Sequence, residues 1–437
     1  MNNTAQEFPT HLVICLTVGM CLFGLSGCTS KANTRTPNTR TGKVIGPSMA
    51  PAFVGGHFSF KCLGCDSKVL CGVAQAQTRA NLVCPYCGDK TPLKWAKPDS
   101  SELVTIHLGN EKIRRWAVVA FDNTSLSEAG IKRVVGLPNE SLEIRDGDIF
   151  VNQKVLRKSL EVQRKMRILV HDSKHVKDSK PQWIGENAER IFAAGEFRFP
   201  AKDSEELDWL SFQCGQNYSR KTSPNLAGVG DEKSIEDNYG YNQSLSRKLN
   251  PMDDVFIEFE VDAARGGQVA WRLTGSHNLK FTIDFARAEL KALGTAKDGL
   301  QVDKTVALDR EMIRQKMKVE FSSFDRQFVV SINGLTRFEI ELDGQKENTS
   351  KQFGTVIQIG GRAARGEELL VAGLKIWRDI YYLPRSDFTN PSSLKTEANE
   401  FILLGDNVPI SEDSRHWEPS ALSREKILGI VKQSDAK

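Results

Sequence analysis

Beyond about residue 100 the chain is patterned for strands. Ala117-Val-Val-Ala-Phe121 is an apolar run of strand length, and Ile131-Lys-Arg-Val-Val135 is another, closed by Gly136-Leu137-Pro138. Leu142, Ile144, Ile149 and Val151 alternate around Asp146-Gly147-Asp148, which predicts a hairpin. Residues 161–204 are charged and irregular and read as a connector, with a candidate strand at 166–170 (MRILV). From 205 to 383, VFIEFEV, VAWRL, LKFTIDF and MKVEF alternate or run apolar at short, regular intervals, as in a β-sandwich. Two further strands in this block flank Asn333-Gly334, a two-residue hairpin signal. The expected fold class is therefore mainly β.

The N-terminus is patterned differently. Residues 12–25 (LVICLTVGMCLFGL) are apolar and run into a lipobox-like LSGC ending at Cys28, followed by a polar tether at 29–43. Fourteen residues are short for a spanning helix, which needs roughly 20, and suit a signal-peptide core better. Extension to 10–27 just permits a span. Residues 1–11 carry Glu7 and no Lys or Arg, whereas Lys31, Arg35, Arg40 and Lys43 follow the apolar run. For a plain anchor this charge bias puts the remaining chain in the cytoplasm. A lipid on Cys28 after cleavage removes that constraint. Membrane association is expected by either route, with residues 1–28 as anchor or lipoprotein-type signal.

Composition adds limits. The chain has 437 residues, enough for two or three domains, and its +4 net charge comes from 59 basic and 55 acidic residues without a basic block. Nucleic acid is therefore not an expected partner. Four of the nine cysteines form Cys62-x-x-Cys65 and Cys84-x-x-Cys87, the spacing of a structural zinc ribbon over residues 61–92. Four thiolates leave no open position on such an ion, so the metal is expected to be structural. A pair of disulfides is the alternative if this region faces an oxidising compartment.

The last motif bears on function. Residues 401–417 (FILLGDNVPISEDSRHW) couple an apolar strand to GDN and then to SxDSRxW. With Ser48-Met49-Ala50-Pro51, the strand from Arg115 to Phe121, and KRVVGLP from Lys132 to Pro138, the chain resembles the signal peptidase I family of membrane-bound Ser-Lys peptidases. That resemblance implies Ser48 as acylating nucleophile and Lys132 as general base. It also implies that Ser411 orients the lysine ammonium, and that Asp413 with Arg415 and Asp406 with Arg133 brace the site beside Asn407. The implied substrates are preprotein signal peptides, cut on the extracytoplasmic face of a membrane without a catalytic cofactor. The chemistry suits the residue types, because a lysine serves as base near neutral pH only where burial lowers its pKa. Lys132 lies within IKRVVG, among apolar neighbours.

Some positions depart from the family pattern. Val408 follows GDN where many members carry arginine, Pro409-Ile410 replaces polar residues in a way that could loosen the Ser411 loop, and Ala52 replaces a threonine. Gly46 stands where some members place an oxyanion-hole serine, which leaves backbone N–H groups, chiefly that of Ser48, to hold the oxyanion.

The expected peptidase core is discontinuous, formed by 44–60, 93–160 and 384–437, with the ribbon as one insertion and the sandwich as another. VSINGLTRFEIEL and LKIWRDIYY resemble concanavalin-like (LamG-type) jelly rolls, which implies a carbohydrate or protein ligand, or a scaffold. Two other readings stay open: a binding protein with a vestigial peptidase core, and a Ser-Lys protein that cuts its own linker.

Overall fold

The computed structural model describes residues 14–16, 38–76, 80–109, 111–122, 129–176, 182–214, 235–262, 266–342, 355–384 and 393–434. The chain is mainly β, built from two sheet systems and a small cysteine-bearing unit.

One sheet gathers strands from distant parts of the sequence. Its order is Ile14–Leu16, Thr39–Val44, Leu103–Leu108, Ile427–Gln433, Val118–Asp122, Ala129–Gly136, Glu400–Leu404 and Leu422–Ser423. Ile14 pairs with both Val44 and Ala129, so the first six strands close into a ring. Val44, Val104, Ile106, Val118, Ala120 and Ile131 fill one side of this sheet, and Val119, Phe121, Val134 and Leu403 pack on the other. Burial of both faces explains why the central strands are continuously apolar instead of alternating. All eight residues of Ala129–Gly136 are buried, Lys132 among them. Ile131 enters the first cluster, while Lys132, one residue on, pairs across the ladder with Val119.

The second system is a sandwich. One sheet runs Phe192–Ala193, Glu196–Pro200, Glu368–Arg378, Val255–Asp262, Met317–Ser322, Gln327–Ile332 and Leu335–Glu341, with Ile168–Asp172 also paired to Glu368–Arg378. The facing sheet runs Trp183–Ile184, Asp208–Phe212, Thr355–Ala363, Gly267–Gly275, Asn278–Asp284, Glu289–Thr295 and Gln301–Ala307. Phe197, Phe199, Phe259, Trp271, Phe281, Phe321 and Phe328 pack between them. Each such ring contributes roughly 2–3 kcal/mol of apolar burial. Asn333 and Gly334 adopt φ of 51° and 82° and join their strands in the two-residue turn that the dipeptide predicts. Asp146 and Gly147, with φ of 51° and 91°, close the other expected hairpin, with Arg145 opposite Asp148.

Two stretches differ from the sequence reading. Residues 161–204, read as a connector, hold the helix Leu160–Met166 and strands of both sandwich sheets, so the sandwich begins before residue 205. Thr39–Val44, of which residues 39–43 read as tether, is a strand of the core sheet; only Gly42 and Val44 in TRTGKV are buried, which hides the alternation. The expected membrane segment lies outside the described residues except for Ile14–Leu16, which form the strand paired above. Among the described residues no helix is long and apolar enough to cross a membrane.

Candidate active site

Ser48 follows the strand Thr39–Val44 by four residues, and Lys132 lies in the strand Ala129–Gly136. Lys132 Nζ lies 2.7 Å from Ser48 Oγ. Both side chains are buried, with Ser48 at 0% and Lys132 at 4% exposure. That burial lowers the Lys132 pKa to about 8; Asp413 opposes the shift and Arg415 adds to it. At pH 7 about a tenth of such lysines are neutral. The neutral amine has a lone pair that can accept the Ser48 proton at this distance.

The GDN loop grips Ser48 from one side. Asn407 N–H donates to Ser48 O at 2.9 Å, and Asn407 Nδ2 donates to Pro47 O at 3.0 Å. Gly405 is required by packing, since a Cβ there would stand 2.0 Å from Ser411 Oγ and 2.7 Å from Ser48 O. Ser411 and the Ser48 carbonyl thus both pack against Gly405. The buried Ser411 Oγ has no hydrogen-bond partner among the described residues, so the expected contact with the lysine ammonium is not made here.

Two buried ion pairs brace the loop. Arg133 Nε donates to Asp406 Oδ1 at 2.7 Å, its Nη2 bonds Asp406 Oδ2, and its Nη1 donates to Trp116 O at 2.8 Å. Arg415 donates from Nε and Nη2 to the two Asp413 oxygens, each at 2.8 Å. Burial alone would raise the Asp413 pKa, but the Arg415 guanidinium and the Gly405 N–H outweigh it and hold the carboxyl below its usual range. Arg415 Nη2 also reaches Val408 O at 3.1 Å, and Val408 is buried in the neighbouring apolar cluster. Val408 therefore helps anchor the loop, while Pro409 and Ile410, the residues in which the sequence allows loosening, are half-buried. Ser414 closes the far end, exchanging bonds with Leu403 at 2.9 and 3.0 Å. His416, its side chain 40% exposed, lies 3.8 Å from Asp413.

The four cysteines converge in a separate unit. Their sulfur atoms all lie within 4.8 Å of one another, with Cys62–Cys87 at 3.4 Å and Cys65–Cys84 at 3.6 Å. A disulfide needs about 2.05 Å, whereas four thiolates about 2.3 Å from one zinc ion lie roughly 3.8 Å apart. The two knuckles are built alike. Asp66 N–H donates to Cys62 O and Gly88 N–H to Cys84 O, both at 3.0 Å, while Gly64 and Tyr86 N–H groups point at sulfur. These residues could hold a metal ion in a closed, all-thiolate set.

Sequence reasoning missed a third support. Tyr239 Oη donates to Asp406 O at 2.8 Å, and Asn242 exchanges two side-chain amide bonds with Asn407 at 2.6 and 3.0 Å. Both belong to residues 235–252, a turn-rich stretch of the large insert whose only sequence signal was a cluster of Asn, Tyr and Gly.

Against known families, residues 94–212 match signal peptidase, peptidase S26. That match contains Lys132 and Arg133 but neither Ser48 nor the GDN loop. No curated protein matches the chain. Solved structures with similar parts include a protein of unknown function with a galectin-like fold from Bacillus subtilis. It is 11% identical, with a TM-score of 0.29, covering 49% of this chain and 98% of its own. The Crh5 transglycosylase in complex with NAG is 10% identical, with a TM-score of 0.30, covering 59% and 95%. The galectin LEC-6 of Caenorhabditis elegans is 14% identical, with a TM-score of 0.22, covering 29% and 87%.

Proposed function

We propose that this protein is a membrane-associated serine endopeptidase of the signal peptidase kind, using Ser48 as nucleophile and Lys132 as general base. The observation that carries this reading is the 2.7 Å contact between two buried groups, one of them a lysine whose pKa burial lowers to about 8. The matched residues 94–212 add support, as do the four sequence boxes.

In acylation, neutral Lys132 takes the Oγ proton as Oγ bonds the scissile carbonyl carbon. The resulting oxyanion faces the Ser48 N–H. Collapse breaks the C–N bond, and the Lys132 ammonium gives its proton to the leaving amine. Water then attacks the ester by the same route. Substrates are extended preprotein segments with small residues at the cut, added as a strand. The enzyme works at a membrane, the catalytic unit is extracytoplasmic, and the cysteine unit carries structural zinc. Purified protein in detergent is expected to cut a preprotein after a small residue. kcat/KM should rise about tenfold per pH unit to about pH 8 and then level, because only neutral Lys132 is a base. A profile flat from pH 6 to 9, or no cut, contradicts the reading.

A second reading has a specific observation behind it. Ile14 pairs with Val44 and with Ala129, on the two strands that lead to Ser48 and Lys132. The chain's own N-terminal segment thus occupies strand-pairing positions beside the site, as a self-processed linker would. Self-processing predicts first-order chain shortening that is independent of protein concentration. A chain length unchanged over hours under conditions that cleave preprotein removes it.

A further inference from the structure

Residues 235–252 form a loop that leaves the sandwich and returns to it. Ile235 and Met252 sit in the sandwich core, and Met252 N–H donates to Ile235 O at 2.8 Å. Arg247 and Asn250 close its base on the Asp237 carboxylate, each at 2.9 Å. Between these ends the loop reaches two other units. Gln243 clasps the Val83 backbone, accepting from its N–H at 2.7 Å and donating to its carbonyl at 2.8 Å, one residue before the ligand-type Cys84. Asn242 meets Asn407 in the GDN loop.

The Asn242–Asn407 pair matters because of what else Asn407 holds. Its Nδ2 carries two N–H donors, one given to Pro47 O and the other to Asn242 Oδ1, each at 3.0 Å. Its Oδ1 accepts from Asn242 Nδ2 at 2.6 Å, and its backbone N–H holds Ser48 O. Asn407 therefore pins the two peptide planes that flank Ser48. Fixing Pro47 O fixes the direction of the Ser48 N–H, because carbonyl and N–H point oppositely across one planar trans peptide. That N–H is the donor aimed at the oxyanion. Without Asn242, Asn407 keeps two buried, unmatched amide groups and gains by turning away from Pro47.

We propose that Asn242, supplied by the inserted sandwich and anchored on the cysteine unit through Gln243, is a positioning residue that aims the Ser48 N–H by way of Asn407. The inference rests on the peptidase reading above. It gives the insert a role in the chemistry and makes the cysteine unit a support of the active site.

The test is cleavage of a preprotein by wild type, Asn242→Ala and Asn242→Asp, with rates expressed per active site titrated by an acylating lactam. Titration removes any loss caused by unfolded protein. Asn242→Ala is expected to lower kcat per titrated site by about tenfold to a hundredfold with KM changed less than about twofold. Asn242→Asp keeps the acceptor for Asn407 Nδ2 but sets a buried carboxylate against Asn407 Oδ1, and is expected to lower kcat as well. In the double variant Asn242→Ala/Asn407→Ala, the second change should add little to the first. Unchanged kcat per titrated site in Asn242→Ala overturns the proposal, as does a double variant whose loss is the full product of the losses of Asn242→Ala and Asn407→Ala measured singly. A wild type that neither cleaves nor takes up the lactam refutes the peptidase reading instead.

Discussion

Lys132→Met is expected to lower kcat/KM by at least about a thousandfold while leaving the protein folded and as stable as the wild type, or more so. The loss follows on the proposed mechanism from removing the amine 2.7 Å from Ser48 Oγ, and among the described residues no histidine bonds Ser48 in its place. The stability sign follows from the lysine's own titration. Its folded pKa of about 8 lies below the unfolded value of 10.5, so below pH 8 the fold carries the cost of a buried ammonium. Between pH 8 and 10.5 the unfolded chain binds more protons than the folded one, and wild-type stability rises. Methionine, of similar volume and apolar, removes that cost. Its stability advantage in denaturant should thus be largest below pH 8 and shrink towards pH 10.5. A variant that keeps activity, or is markedly less stable at pH 7, contradicts this account of Lys132.

Cys84→Ser is expected to have the largest effect on stability. Cys84 is fully buried, and its sulfur lies 3.6 Å from that of Cys65. If the four thiolates hold one zinc ion, much of this small unit's folding free energy comes from the metal, because its core is only a few apolar residues around the sulfurs. Wild type should carry about one zinc per chain by elemental analysis, and Cys84→Ser close to none. The first thermal transition should fall by about 5 °C or more, and a strong chelator should reproduce the shift in wild type. Val83 is the residue that Gln243 clasps, so kcat should also fall in the metal-free protein. Wild type with no metal and two disulfides would contradict the zinc assignment.

The site was legible where one short segment carries both chemistry and surroundings. Lys132 inside a strand of eight buried residues could be read from IKRVVG, and the cysteine spacing gave the four sulfurs that the fold brings together. The Arg133–Asp406 and Arg415–Asp413 pairs were named from the sequence boxes. The Ser411 contact was named too, yet its hydroxyl is buried without a partner, because orientation of one side chain depends on packing that no motif records. Residues 235–252 could not be read at all. They lack periodicity, and the bonds of Gln243, Asn242 and Tyr239 span 160, 165 and 167 residues, distances over which local pattern says nothing. The strand Thr39–Val44 escaped for a different reason, since its exposed half is Thr-Arg-Thr and resembles a linker.

The central claim is that Ser48 forms an acyl-enzyme with Lys132 as its base, and mass spectrometry after lactam treatment tests it most directly. At pH 8, wild type should gain one inhibitor mass located by peptide mapping to Ser48, while Ser48→Ala and Lys132→Met gain none over the same time. An adduct on another residue, or equal labelling of Lys132→Met, would contradict it.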